Sequence, residues 1–380
     1  MSSWSLRPRA IGLASAGVLA LMLTGWAAGT ASPAPPLSGT AAVLQAAAAP
    51  AVAPQRALLL GLARAGERLV AVGEQGVITL SDDQGKIWRN AAKVPVSATL
   101  TAVRFADARV GYAIGHLGVV LRSEDAGEHW TRVLDGQAIA ALAMAQAQAG
   151  QGKLDEAQRL VDDGPDKPLL DLWVDGPDIS IVGAFNLAVH SRDGGRSWRF
   201  DSGRFDNPNS MHLYGLARAG GSGWAVGEQG LVLREDLSGK ADGHFSALKA
   251  PYDGSLFGVL ASSDRQVLVH GLRGHAFVTA DAGSTWQRAN LGPQATGASI
   301  NGSLRLRDGR IALFDQGGGL FVSADGGLNF QRVPFAWGAP LTGLVEAPDG
   351  SLVASSVAGI VTVPRAALQP TVAAASGASR

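Results

Sequence analysis

Apolar residues in this chain fall into short, nearly continuous runs separated by glycine and aspartate turns, and the runs recur as a set. Residues 70–73 and 76–80 flank a Gly-x-x-Gly phrase, as do 112–115 and 118–121, 224–227 and 230–233, and 267–271 and 274–278; 181–183 and 187–189 form a looser copy. Runs this short predict strands, and their lack of strict alternation predicts sheets covered on both faces. Two glycines around a two-residue tip fit a tight hairpin, whose central residues need positive φ. A further apolar run precedes each hairpin, as at 100–105 and 256–260.

After the hairpin comes a second phrase, Ser/Thr-x-Asp-x-Gly-x-x-aromatic. Its copies at 81–88, 123–130, 191–198, 279–286 and 323–330 align Asp83 with Trp88, Asp125 with Trp130, Asp193 with Trp198, Asp281 with Trp286, and Asp325 with Phe330. A weaker copy has Asp236, Gly239 and a delayed Phe245. Trp88 to Trp130 is 42 residues, Phe245 to Trp286 is 41 and Trp286 to Phe330 is 44. A last unit, with runs at 341–345, 351–356 and 360–363, keeps the rhythm but lacks the phrase. Units of four strands at this period predict an all-β fold, a seven-bladed β-propeller of four-stranded antiparallel blades whose closure removes sheet edges. The last unit is short of a strand, which residues 51–57 or 366–373 are expected to supply.

One interval is too long. Trp130 to Trp198 is 68 residues, and the excess, 136–163, is rich in Ala, Leu, Met, Gln and Glu around a Gly150-Gln151-Gly152 break. Strong helix formers around a glycine break predict an αα hairpin between blades two and three. Ile139, Leu142, Met144, Leu154, Leu160 and Val161 are its expected apolar face. It is either a self-packed surface insertion or a docking element or lid.

Arg7 and Arg9 followed by an apolar run over 10–23 and small residues to Ala31 give 1–31 the pattern of a secretory signal peptide. The alternative is an uncleaved anchor reaching Ala28. Residues 32–54 form an Ala/Pro-rich linker, 55–370 the propeller and 371–380 a disordered tail. The expected location is periplasmic or secreted, with membrane association open. Balanced charge, 32 basic against 32 acidic side chains, argues against nucleic acid as a partner. The absence of cysteine excludes disulfides, thiolate metal sites and cysteine nucleophiles.

The Asp-containing phrase resembles the Asp box of bacterial neuraminidase (BNR) repeats, where it forms the turn between the third and fourth strands, opposite the usual active site. That resemblance implies a structural role, in which the carboxylate accepts backbone N–H groups and the aromatic residue wedges between blades. With 161–168 (Val-Asp-Asp-Gly-Pro-Asp-Lys-Pro) and Gly-Glu-Gln-Gly at 73–76, residues 55–365 look more closely like the photosystem II assembly and stability factor-like propellers and their relatives in non-photosynthetic bacteria. The resemblance implies a seven-bladed ring acting as a chaperone-like assembly factor at a membrane, without enzymatic activity. It also associates partner binding with an arginine-rich patch, which no position here can be matched to.

Ring geometry gathers the seven Gly-x-x-Gly tips at one end of the channel, and the helical insertion is expected on the same face. The candidate partner-binding residues are Glu74, Gln75, His116, Asn186, Glu228, Gln229, Arg273, His275 and Gln316, with plain solvation of the tips as the alternative. Glu74 and Glu228 stand on nearly opposite blades, too far apart for a paired-carboxylate glycosidase. His116 and His275 lack a third metal ligand. Tyr112 and Tyr214 lie inside apolar runs and are expected in the core. No Ser–His–Asp phrase, phosphate loop or dinucleotide fingerprint is present. The expectation is a monomeric propeller without cofactor or metal that binds a protein of a membrane or envelope complex. The alternative is a glycan-binding or sialidase-like propeller.

Overall fold

The computed structural model describes residues 39–236, 243–335 and 337–369, all within one compact unit spanning 38–380. The signal segment, the tail at 371–380 and Gly239 lie outside the described residues. Seven antiparallel sheets follow one another along the chain, six with four strands and the last with three. The inner strands are Leu59–Ala65, Leu100–Phe105, Leu169–Asp175, Leu213–Ala219, Leu256–Ala261, Ile300–Arg305 and Leu341–Glu346. Each packs on the next, and the seventh packs on the first, so the ring closes.

The core is divided by seam. Seven apolar clusters each join two neighbouring blades, and six take an aromatic residue from the outer turn of the later blade. Trp88 packs with Val345 and Val353 of blade seven, Trp130 with Val70 and Leu80 of blade one, and Phe330 with Leu268 and Val278 of blade five. The phrase that delivers them is a closed hydrogen-bond set. Ser81 Oγ donates to Asp83 Oδ1 and accepts from the Gly85 N–H, both at 2.9 Å; Asp83 Oδ1 also accepts from Lys86 and Ile87 N–H at 3.0 and 2.9 Å. Trp88 Nε1 donates to Gly85 O at 2.9 Å. The glycine is at φ 90°, and a Cβ there would press on Val353, so positive φ and close approach both select Gly.

Blade seven ends differently. Residues 51–57 contribute no strand: Pro54–Arg56 is a single 3₁₀ turn set against Gly359. Of the alternative segment, Arg365–Leu368 is another such turn, and 370–373 lie outside the described residues. Leu368 occupies the seam with blade six, among Leu306, Phe314 and Leu320, where other blades place an aromatic ring. Closure therefore runs through the inner strands, with Thr342 Oγ1 donating to Leu59 O at 2.8 Å and Arg64 to Glu346 O at 3.0 Å.

The stretch expected as linker packs from residue 39 onward. Gly39–Gln45 is a short helix, Leu44 is buried, and Ala48 and Ala51 hydrogen-bond Val94 and the Asn90 side chain. Too poor in apolar groups to pack alone, it is held by backbone bonds to blades one and two. The insertion forms two helices, Gly136–Gln148 and Leu154–Asp163, the first capped by Asp135 accepting from Ala138 N–H at 3.0 Å. Of the expected face, Ile139 is buried with Leu142 and Leu160 packed beside it, whereas Leu154 and Val161 are exposed; Ala140, Ala143 and Ala157 are buried as well. The small side chains let the two helices approach closely.

Candidate functional site: the tip face and channel mouth

The tips occupy the turns between second and third strands. Their backbone departs from the simple hairpin expectation. The second tip residue and the closing glycine take positive φ, as at Gln75 (53°) and Gly76 (73°), while the leading glycine is extended. The leading glycine is needed for space: a Cβ on Gly73, Gly115, Gly183, Gly227 or Gly271 would collide with the carbonyl oxygen just before the inner strand of the same blade.

Glu74, Gln75, His116, Gln229, Arg273 and Gln316 are exposed. Asn186 is not part of that surface. It is buried, donating to Ser202 O at 3.3 Å and accepting from Asn207 Nδ2 at 3.0 Å, because its turn places the preceding Phe185 outward. His275 is half-buried against Tyr252, with ring centroids 4.2 Å apart, and burial followed by Arg288 and Arg273 pulls its pKa down.

Glu228 is drawn toward the channel. Its Oε2 accepts from the His212 backbone N–H at 2.8 Å and lies 2.9 Å from His212 Nδ1; the Tyr214 hydroxyl donates to Oε1 at 3.5 Å. Phe185, 57% exposed, packs on His212 at 4.5 Å, and Tyr214 meets Phe257 edge-on at 5.4 Å. Tyr214 thus lines the channel and is not core as expected, whereas Tyr112 is buried, its hydroxyl donating to Gly194 O. Burial and then Glu228 push the Tyr214 pKa up, the wrong direction for a nucleophile.

What aims Tyr214 and Phe257 inward is a β-bulge shared by all seven inner strands. The register slips around Leu60, Thr101, Leu170, Tyr214, Phe257, Asn301 and Thr342, and all seven line a cavity of about 820 Å³. The ring is two-sided. Thr101, Asn301 and Thr342 donate to Leu169 O, Leu341 O and Leu59 O of the next blade at 2.7–2.8 Å. Leu170, Tyr214 and Phe257, on blades three to five, leave an apolar arc, and Leu60 stands between the two threonines on the polar side. Arginines 64, 104 and 305 lie toward the other end of the inner strands.

The insertion does lie against the tips. Gly136 and Ile139 of the first helix close on Gly118 of the second tip, where a Cβ would meet them at 2.7 and 3.2 Å. Beyond the second helix, Lys167 O accepts from Gly118 N–H at 3.0 Å, and Lys167 Nζ sits 5.8 Å from the Phe185 ring centre. The first helix also clamps the outer strand of blade three: Phe200 N–H donates to Gln146 Oε1 at 2.7 Å and Gln146 Nε2 returns to Phe200 O at 3.0 Å.

One constellation absent from the sequence reading appears in the fold. Ser180 Oγ lies 3.1 Å from His190 Nδ1, and His190 Nε2 lies 3.5 Å from Asp178 Oδ1. His190 is buried in the seam between blades three and four, and burial, then Arg199 and Arg204, depress its pKa to about 3. So weak a base cannot activate a hydroxyl at neutral pH. Among the described residues no three His, Asp or Glu side chains gather as a metal site.

The sequence model of the photosynthesis system II assembly factor YCF48 family matches residues 166–359. No curated protein matches the chain. Among solved structures, YCF48 bound to D1 peptide is similar at TM-score 0.59 and 15% identity, covering 83% of this chain and 95% of that one. YCF48 from Cyanidioschyzon merolae is similar at TM-score 0.60 and 14% identity, covering 83% and 98%. The WD40 propeller domain of Doa1 reaches TM-score 0.58 at 9% identity, covering 84% and 95%. At these identities the structures share the ring.

Proposed function

The chain belongs to the photosynthesis system II assembly factor YCF48 family, and from that premise we propose that it is an exported, non-catalytic propeller that binds a protein partner as an assembly or stability factor for a membrane or envelope complex. The observation that carries the reading is the tip face. Exposed side chains differing from blade to blade surround an apolar arc at the channel mouth, on a backbone fixed by glycines and bulges. The solved YCF48 bound to D1 peptide supports a protein segment as the ligand class. The apolar arc takes an aliphatic or aromatic side chain, with Phe185 as the outermost contact and Glu228 holding His212 and Tyr214 in place.

The sialidase-like alternative finds its nearest counterpart in the Tyr214–Glu228 pair. The raised Tyr214 pKa, and the placing of the channel arginines toward the far end, weigh against it.

Co-purification from the native envelope tests the proposal. A variant changed at Glu74, His116, Glu228 and Arg273, and a separate Phe185→Ala variant, are expected to lose most of the partner recovered with the unaltered protein. Undiminished recovery with both would remove the tip face from consideration.

A further inference from the structure

Six blades end in a fourth strand and blade seven does not. The pairing in its hairpin identifies the groups this leaves open. Ser356 pairs with Gly359 across a two-residue turn, Ala354 with Val361 and Leu352 with Val363. Hydrogen-bonded and non-hydrogen-bonded pairs alternate in an antiparallel ladder, so Ile360 and Thr362 direct their N–H and C=O groups outward. Blade one shows the same position filled: Gly73 N–H donates to Val77 O, and Ile78 O, one residue on, accepts from Ala91 N–H at 2.9 Å. The matching carbonyls of Ala188, Val232, Ala276 and Leu320 accept at 2.8–2.9 Å from Asp201, Leu248, Ala289 and Val333. Among the described residues nothing bonds the outward groups of Ile360 and Thr362.

The strand reads Gly-Ile-Val-Thr-Val, without the lysine, proline or bulge that usually guards an edge. Thr362 is exposed, and Ile360 and Val361 are half-buried. Arg56 stands at one end, where its turn abuts Gly359, and Arg365 follows the other end. Both arginines are exposed, and neither has an ion-pair partner among the described residues.

We propose that the outer edge of Gly359–Val363 docks an extended segment of a protein partner, taken up antiparallel as the missing fourth strand, with carboxylates near its two ends facing Arg56 and Arg365. The proposal rests on the protein-binding reading above and adds a second surface to it, on the rim of the ring. The occupant follows from chemistry: outward amides and carbonyls at alternate residues match an extended backbone, and the two free charges share one sign. From Gly359, where Arg56 abuts, to Arg365 is six residue steps. At about 3.4 Å each of extended chain, these set the arginines roughly 20 Å apart, so the carboxylates fall about six residues apart.

Hydrogen exchange on the full chain tests this, with the capped peptide Glu-Thr-Val-Thr-Val-Thr-Glu as probe and the same peptide ending in lysines as control. The acidic peptide is expected to slow exchange at Ile360 and Thr362 about tenfold or more, and the basic one to leave it unchanged. Thr362→Pro removes one outward N–H while sparing the inward ladder, and is expected to abolish the effect without altering the circular dichroism spectrum. Should that variant misfold, the paired change Arg56→Glu and Arg365→Glu is expected to reverse the peptide preference. No slowing with the acidic peptide, or slow exchange at both amides before any peptide is added, overturns the proposal. Equal slowing by both peptides overturns the assignment of carboxylates. Tip variants that lose the envelope partner while Thr362→Pro retains it would leave the tip-face reading standing and this one refuted.

Discussion

His270 is fully buried between the Ile300 carbonyl, 3.3 Å from Nδ1, and the Ser303 hydroxyl, 3.1 Å from Nε2. A neutral ring satisfies both, with Nδ1–H donating and Nε2 accepting. Burial accordingly lowers its pKa to about 4 from 6.5. Because the unfolded chain takes up this proton more readily, the stability held by neutral His270 is complete above pH 6.5 and is lost as pH falls through 4. A second window lies lower. Asp193 and Asp281 are held near 2 chiefly by the Ser197 and Thr285 hydroxyls, and Asp325 near 2 by the Asn329 amides against the opposing effect of burial. Their contribution is present above 3.8 and lost as pH falls through 2. Urea unfolding between pH 7 and 4 is expected to show a decline of about 3 kcal/mol owed to His270. His270→Gln should flatten that part of the profile, and an unchanged slope would place the acid sensitivity elsewhere.

At the scale of the element, the outer turn is the unit that holds blades together. Trp130 is fully buried and its Nε1 donates to Gly127 O at 2.8 Å, whereas Trp286 is only half-buried. Trp130→Ala is expected to cost about 3–5 kcal/mol in chemical denaturation, and Trp286→Ala distinctly less. Equal losses would mean that burial in the seam is not what the ring contributes. These turns were legible in the sequence because each residue has one duty: a hydroxyl, a carboxylate, a glycine at positive φ, an indole. The channel mouth was not. Its seven bulged positions hold Leu, Thr, Leu, Tyr, Phe, Asn and Thr, so no residue type marks them; only their place, second in each inner strand, does. Asn186 and Phe185 illustrate the same gap, since a turn's sequence does not say which neighbour points outward. In the insertion, helix propensity was readable, but alanine contacts took the place expected for Leu154 and Val161.

For the molecule as a whole, the seam between blades seven and one is held by inner strands, the Thr342–Leu59 bond and the Trp88 cluster, with no strand shared between chain ends. Native-state hydrogen exchange is expected to find Leu352–Ser356 and Gly359–Val363 opening at lower free energy than Gly111–Gly115. Thr342→Val should widen the difference by about 1 kcal/mol. Uniform protection around the ring would show that closure is no weaker there than elsewhere.

The shared bulge carries a consequence for how such rings diversify. A slip of backbone register turns one side chain per blade toward the axis, whatever that side chain is, so these positions escape the constraints on the glycines and tryptophans around them. Three of the seven are tethered to a neighbouring carbonyl in this chain. Tyr214 is tied only to the Glu228 side chain, Leu60, Leu170 and Phe257 to nothing polar, and it is through these four that a descendant could change what it accepts at the axis and still fold.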